Sequence, residues 1–268
     1  MRILCAALVV LAATSSAPCA EENASPFEQL RTFLKSPPGD IRQAGDMAKG
    51  IPAPPATKEI PENARRIALP KPSTDSQSLT SVLASRRSAR SFSTDPLPLE
   101  KLAFLLWASQ GITGKNESGT LRAAPSAGGL YPLETYVCAQ RVAGLEPGVY
   151  RYDPAGNSLV AVSENPALPE KLAIACHRQP VVTGAAAVLV WTATPARTEW
   201  KYAHGAHRMI AMEAGHACQN ALLAATSLGV AACPLLSYHQ GALDQILGVD
   251  GHDEFAIYLA AVGKPAKN

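Results

Sequence analysis

The 268-residue chain is poor in charge: Asp, Glu, Lys and Arg make up 17% of it, and 24 basic residues against 22 acidic ones leave a formal net charge of +2. A balance that close gives no global field of the kind that draws a protein onto nucleic acid or anionic lipid. Aromatic residues are scarce too, at 6%. The cysteines include no C-x-x-C pair, which removes the common cysteine-based metal and redox motifs. Cys138, Cys176, Cys218 and Cys233 each stand in an apolar context, where a free thiol behaves as a small buried hydrophobe. In an oxidising compartment four cysteines permit three pairings, and sequence does not choose among them. There is no G-x-S-x-G elbow, and Gly111 to Ser118 (GITGKNES) lacks the spacing and the Lys-Ser/Thr pair of a phosphate-binding loop. His204, His207 and His216 form no H-E-x-x-H pattern, and the nine residues from His207 to His216 put those two a half-turn out of phase on a helix, so no metal site is expected.

What is present bounds one ordinary domain with an arm: 47% hydrophobic content over this length is enough for a sizeable core. The first twenty residues, MRILCAALVVLAATSSAPCA, combine one basic residue, an apolar run too short to span a membrane, and small residues before Glu21. That is the pattern of a secretory signal peptide over residues 1–20, and it predicts a periplasmic or secreted protein. Residues 21–76 are rich in proline, with only Phe27, Leu30, Phe33 and Leu34 as an apolar pattern; they predict one short helix followed by an extended arm, either a linker or a strap laid over a partner surface. From residue 77 to 268 the patterns are those of a compact domain. Helices are predicted from Leu79 to the arginines at 86, from Pro98 to Gln110, from Ala167 to His177, from His207 to Leu228 and from Leu243 to Leu247. Strands are predicted at Glu134–Arg141, Val149–Tyr152, Ser158–Val162, Ala185–Thr194 and Phe255–Val262. Interleaved elements without repeats indicate an α+β or α/β layered domain. The helix from His207 is apolar nearly all round, which marks a central core helix or one shared with a second subunit.

Three stretches carry candidate chemistry. In SRRSARSF (85–92), an extended backbone places Arg86, Ser88 and Arg90 on one side, with Arg87 beside them, as a clamp for a phosphate or an anionic ring edge. The same residues suit a basic turn capping a helix C-terminus, and on this segment alone the two readings stand level. In LRAAPSAGGLYPLE (121–134), the run Pro125, Ser126, Ala127, Gly128, Gly129 lets a backbone approach a flat ligand closely, or serves as an ordinary glycine turn into a strand. In KYAHGAH (201–207), Lys201 beside Tyr202 is a candidate acid/base pair.

Taken with GVYRYDP from Gly148, EAGHACQNALLAATSLG from Glu213 and AAVGKP near the end, these ordered blocks resemble the flavin-dependent nitroreductase superfamily, and within it the SagB-type branch that oxidises thiazolines and oxazolines in peptides to azoles. The resemblance covers about Ser78 to Pro265. It implies a three-layer α/β/α fold with a central, mostly antiparallel sheet, and a homodimer whose long helices meet at the interface. One FMN per subunit is implied in a cleft between subunits. By position, it implies that Arg86, Ser88 and Arg90 hold the phosphate, ribityl chain and pyrimidine edge, with Arg87 adjacent, that Pro125 to Gly129 line the ring, and that Lys264 reaches the phosphate. Lys201 and Tyr202 match the branch's proton-handling pair. Ala203, Gly205 and His207 depart from the glycine, arginine and aromatic residue the branch often carries after it, which motivates an alternative, a non-catalytic flavin- or ligand-binding protein of the same fold.

Overall fold

The computed structural model describes residues 31–35, 45–72, 77–117 and 119–266. The expected signal peptide lies outside them, as do Phe27 and Leu30. Residues 37–268 form one compact unit. Of the unit before it, residues 31–35 close a helical turn through Leu34 and Lys35 amides donating to the carbonyls of Arg31 and Thr32.

The core is a seven-stranded sheet in the order β1-β6-β5-β4-β7-β9-β8, every neighbouring pair antiparallel. The strands are β1 (Arg66–Ala68), β4 (Leu133–Ala139), β5 (Gly148–Asp153), β6 (Ser158–Glu164), β7 (Ala187–Ala193), β8 (Ala231–Leu235) and β9 (Phe255–Gly263). β2 (Ile112–Asn116) and β3 (Gly119–Arg122) form a separate hairpin. Helices cover both faces. On one, α1 (Leu79–Ser85), α2 (Leu99–Gln110) and α6 (Ala206–Ser227) pack; on the other, α3 (Leu168–Ala175), α4 (Pro180–Thr183) and α7 (Gln240–Leu247). α5 (Ala196–Tyr202) runs off the end of β7 and leads into α6.

The central strand shows why the layers form. β7 reads AVLVWTA and is buried throughout, with Leu189, Trp191 and Ala193 facing the α2/α6 core and Val188 and Val190 facing the α3/α7 core. Strict alternation of large apolar side chains to both faces is what a sheet covered on both sides requires. Trp191 keeps its indole N–H satisfied by donating to Ser109 Oγ at 2.9 Å, so even the largest buried ring carries no unmet donor.

The predicted strands and long helices occur within a few residues of the expected places. Of the two readings of the helix from residue 207, the wholly central core helix does not hold, because one row of it is exposed in a single chain. Ala211, Met212, Gly215, His216 and Gln219 form an exposed row along α6, opposite the buried row that includes Ile210, Ala214, Ala217 and Ala221. Among the described residues no helix is long and apolar enough to cross a membrane. All four cysteines from Cys138 onward are free and buried.

Candidate active site

The turn before β4 is built by two glycines. Ser126 is extended, then Gly128 and Gly129 adopt φ of +65° and +68°, left-handed values that other residues take only at a cost. Ser126 Oγ accepts the Tyr131 amide at 2.8 Å and closes the turn. A Cβ on Gly128 would lie 2.8 Å from Tyr202 Oη and 3.2 Å from Lys201 Nζ, so the turn rests directly on the Lys201–Tyr202 pair. Lys201 Nζ itself sits 5.6 Å from the centre of the Tyr202 ring. Both side chains are half-buried. A Cβ on Gly129 would meet nothing within 4 Å, which leaves a flat, open backbone surface beside the pair.

Under the turn lies a charged residue whose partners are not evident from sequence. Glu213 of α6 is buried, and burial pushes its carboxyl up to about 7, against the pull of the Ser126 hydroxyl, the Ala127 amide and the Arg122 charge. Its Oε1 has no hydrogen-bond partner among the described residues. Arg122, at the end of β3, stacks 4.5 Å from the centre of the Tyr131 ring and donates to Gln110 Oε1 at 3.2 Å. Burial lowers its pKa from the ordinary arginine value.

Beyond the turn, a strap of residues 45–69 is held down by buried charges. Glu134 Oε1 accepts from Arg197 at 2.7 Å and its Oε2 lies 3.4 Å from Arg151; all three side chains are buried. Arg197 also donates to the carbonyls of Tyr131 and Pro55, each at 3.0 Å, and Arg151 donates to those of Lys58 and Glu59. Lys58 reaches Glu254, whose other oxygen accepts from Tyr136 Oη and Thr192 Oγ1. Each guanidinium is thereby paired and hydrogen-bonded, the condition under which a buried ion can be tolerated.

The arginine segment lies elsewhere. α1 ends at Ser85 with Arg86 as its C-cap, and the chain then runs extended: the Ala89 amide donates to Ala232 O of β8, and the Ser93 amide to Lys264 O. Arg87 turns back and donates to the carbonyls of Ala84 and Arg86, so the capping interpretation applies to this residue. Arg86 and Ser88 are half-buried and Arg90 is exposed, and none of the three makes a side-chain hydrogen bond or ion pair among the described residues. Lys264 follows β9, its Nζ 4.0 Å from Asp95 Oδ2.

Strand register separates the two groups. Leu133 and Ala193 pair at the end of the sheet that carries the glycine turn and α5. Ala187 pairs with Val262, and Val262 with Ala232, at the end that carries the arginine segment and Lys264. The strand between them, at about 3.3 Å per residue, puts roughly 20 Å between the two ends in one chain. Thus the Pro125 to Gly129 turn meets Lys201 and Tyr202 through Gly128, and Arg86, Ser88 and Arg90 lie at the same end of the sheet as Lys264, but one chain does not bring the two sets together. Among the described residues no cluster of three or more His, Cys, Asp or Glu residues could hold a metal ion.

The sequence matches the nitroreductase family over residues 83–264. A curated protein of Methanocaldococcus jannaschii, provisionally named a nitroreductase, is 36% identical over 186 residues, 69% of this chain and 90% of that protein. A solved chain from Ralstonia eutropha with the same provisional name superposes with a TM-score of 0.62 at 26% identity, covering 81% of this chain and 100% of that one. A second, from Anabaena variabilis, gives 0.66 at 26% identity over 76% of this chain and 42% of that one. A chain of the E. coli microcin synthetase McbBCD complex with truncated pro-MccB17 bound shares the fold at a TM-score of 0.60 and 21% identity, over 77% of this chain and 80% of that one.

Proposed function

The chain belongs to the nitroreductase family, and from that membership we propose that it is an FMN-dependent oxidoreductase working as a homodimer. Members of the family are oxidoreductases that generally bind flavin. The observation that carries the proposal is the contact of Gly128 with Tyr202 Oη and Lys201 Nζ: a backbone surface fit for a flat ring and a pair able to handle a proton occupy one place. The residues present fit FMN. The open, left-handed Gly128–Gly129 backbone offers a cradle, and Arg86, Ser88 and Arg90 offer donors not committed to other described residues. Arg86, Ser88, Arg90 and Lys264 would hold the phosphate, ribityl and pyrimidine groups, and Pro125 to Gly129 would line the ring. Because the two sets lie at opposite ends of the sheet, the site is completed by the turn of one subunit and the arginines of the other.

Bound FMN supplies a ring that takes up or gives a hydride. This chain supplies the rest. Lys201 Nζ, over the Tyr202 ring, and the Tyr202 hydroxyl would hold or deliver the accompanying proton, and the turn at Gly128 fixes where both groups lie. The matching blocks point to the SagB-type branch and hence to a peptide-derived or other small heterocyclic substrate. If residues 1–20 export the chain, electrons leave to oxygen, a quinone or another protein, since nicotinamide donors are cytoplasmic.

The test is the visible spectrum of the chain purified from Glu21, alone and with added FMN. Near-stoichiometric flavin bands, lost in an Arg86→Ala, Arg90→Ala double variant that melts like the parent, support the clamp. Lys201→Ala that retains flavin and loses turnover supports the enzyme. A protein that stays colourless with added FMN sinks the proposal.

A further inference from the structure

The proposed chemistry assigns nothing to the strap, yet the strap is what lies against the outer face of α5. Gly45 approaches so closely that a Cβ would sit 2.7 Å from the carbonyl oxygens of both Trp200 and Lys201. Such backbone contact admits only glycine. Trp200 Nε1 donates to Ile51 O at 2.7 Å, and Arg197 Nε to Pro55 O at 3.0 Å. Residues 197, 200 and 201 are spaced i, i+3, i+4 and therefore form one face of the helix. Arg197 and Trp200 are tied to the strap by their side chains and Trp200 and Lys201 face Gly45 with their backbone carbonyls, while the Lys201 and Tyr202 side chains reach Gly128.

Directly after the pair, Ala203 has φ +44° and ψ −131°, a conformation strained for any residue with a side chain. Strain of this kind persists only where surrounding contacts hold it. On one side the contacts come from α6, which begins at Ala206; on the other they come from Gly45 and Ile51.

We propose that the strap from Gly45 to Glu59 is a positioning element for the Lys201–Tyr202 pair: it holds the last turn of α5 against the backbone preference of Ala203 and so keeps Lys201 Nζ and Tyr202 Oη on Gly128. The proposal rests on the assignment of that pair as the proton-handling groups. It makes the proline-rich segment part of the catalytic apparatus, although no strap residue touches the reacting atoms.

The test uses the chain from Glu21, loaded with FMN, and three variants: Gly45→Ala, Gly45→Ala with Ala203→Gly, and Lys201→Ala. Dithionite-reduced protein is mixed anaerobically with nitrofurazone as the probe oxidant, and the rate of flavin reoxidation is followed against probe concentration. Hydrogen exchange is measured in parallel on peptides covering residues 196–206. For Gly45→Ala, flavin content holds, because Gly45 faces the Trp200 and Lys201 carbonyls and neither the Pro125 to Gly129 turn nor the arginine segment. The limiting rate falls about tenfold or more with little change in half-saturating concentration, and residues 201–206 lose exchange protection. Ala203→Gly then restores at least about threefold of that rate, since glycine adopts those angles without support. An unchanged rate in Gly45→Ala overturns the proposal, and so does a double variant no faster than the single one. Lys201→Ala at full rate sinks the pair's assignment itself, whatever Gly45→Ala does. Should Gly45→Ala not fold, Trp200→Phe, which removes the bond to Ile51 and trims the ring, is expected to slow the limiting rate about two- to threefold, and a rate equal to the parent's overturns the proposal.

Discussion

Alanine at Gly128 and alanine at Gly129 should fail in different ways, and the difference tests the geometry of the site. At Gly128 the new Cβ lies 2.8 Å from Tyr202 Oη and 3.2 Å from Lys201 Nζ, so both side chains must yield by several tenths of an ångström. The left-handed backbone costs alanine roughly 1–2 kcal/mol, offset by roughly 0.4–1 kcal/mol through a stiffer unfolded chain. A net loss of about 1 kcal/mol lowers Tm by about 2–4 °C in a domain of this size. The same backbone cost applies at Gly129, where φ is +68°, but its Cβ enters open space. Gly128→Ala therefore melts no higher than Gly129→Ala, and lower by whatever the displacement of Tyr202 and Lys201 costs. Gly128→Ala keeps flavin and loses about 10–100-fold in limiting rate per bound flavin, as displacement of reacting groups does. Gly129→Ala puts its methyl where the ring would lie, so flavin retention weakens while the rate per bound flavin holds within about threefold. The assay is anaerobic reoxidation normalised to the flavin band, with thermal melts of each apoprotein. Equal limiting rates in the two variants would refute the claim that contact with Lys201 and Tyr202 is what Gly128 provides.

Glu213→Gln tests burial of charge. The folded carboxyl titrates near 7 rather than 4.5, so its penalty is absent below about pH 4.5, builds as pH rises and is complete above about pH 7. The shift corresponds to roughly 3 kcal/mol; the variant should equal the parent at pH 4.5 and melt higher at pH 8, and a constant difference across that range would contradict it. Arg197→Ala takes the shorter of its two ion pairs from buried Glu134, leaving only Arg151 at 3.4 Å, and frees the carbonyls of Pro55 and Tyr131, for an expected loss of about 3 kcal/mol. A Tm drop of about 10 °C should follow, with only partial recovery in Arg197→Lys, since lysine lacks the fork that serves three acceptors at once. In the chain from Glu21, the four buried thiols should resist a disulfide reagent until denaturant is added and then all react; burial pushes Cys176 up to about 11 and Cys218 up to about 12, so little thiolate is present at neutral pH.

Long periodic elements were legible in the sequence. β7 announced itself as an unbroken apolar run, and α2 by its spacing between Pro98 and Gly111. β8 was missed because Pro234 argues against a strand; it is the sheet's edge, where a missing amide is tolerated. The β2–β3 hairpin was missed because Thr113, Gly114, Lys115 and Asn116 show no alternation, both strands being largely exposed. The short helix that carries Lys201 and Tyr202 is not legible: α5 is only seven residues long and ends at Ala203 with angles no residue type there signals. The site was legible as three separate stretches. That Gly128 touches Tyr202, that Glu213 sits beneath Ser126 and that two arginines grip the strap depend on partners far apart in the chain, which local pattern does not encode.

The separation of arginines and glycine turn to opposite ends of one sheet has a genetic meaning. If each site draws its arginines from one subunit and its Lys201–Tyr202 pair from the other, a chain damaged at Arg86 and Arg90 and a chain damaged at Lys201 are each inactive alone. Paired in one dimer, they leave one site wholly intact and one doubly broken. Two dead alleles expressed together should then complement, restoring about a quarter of the parental activity when subunits mix at random and in equal amounts.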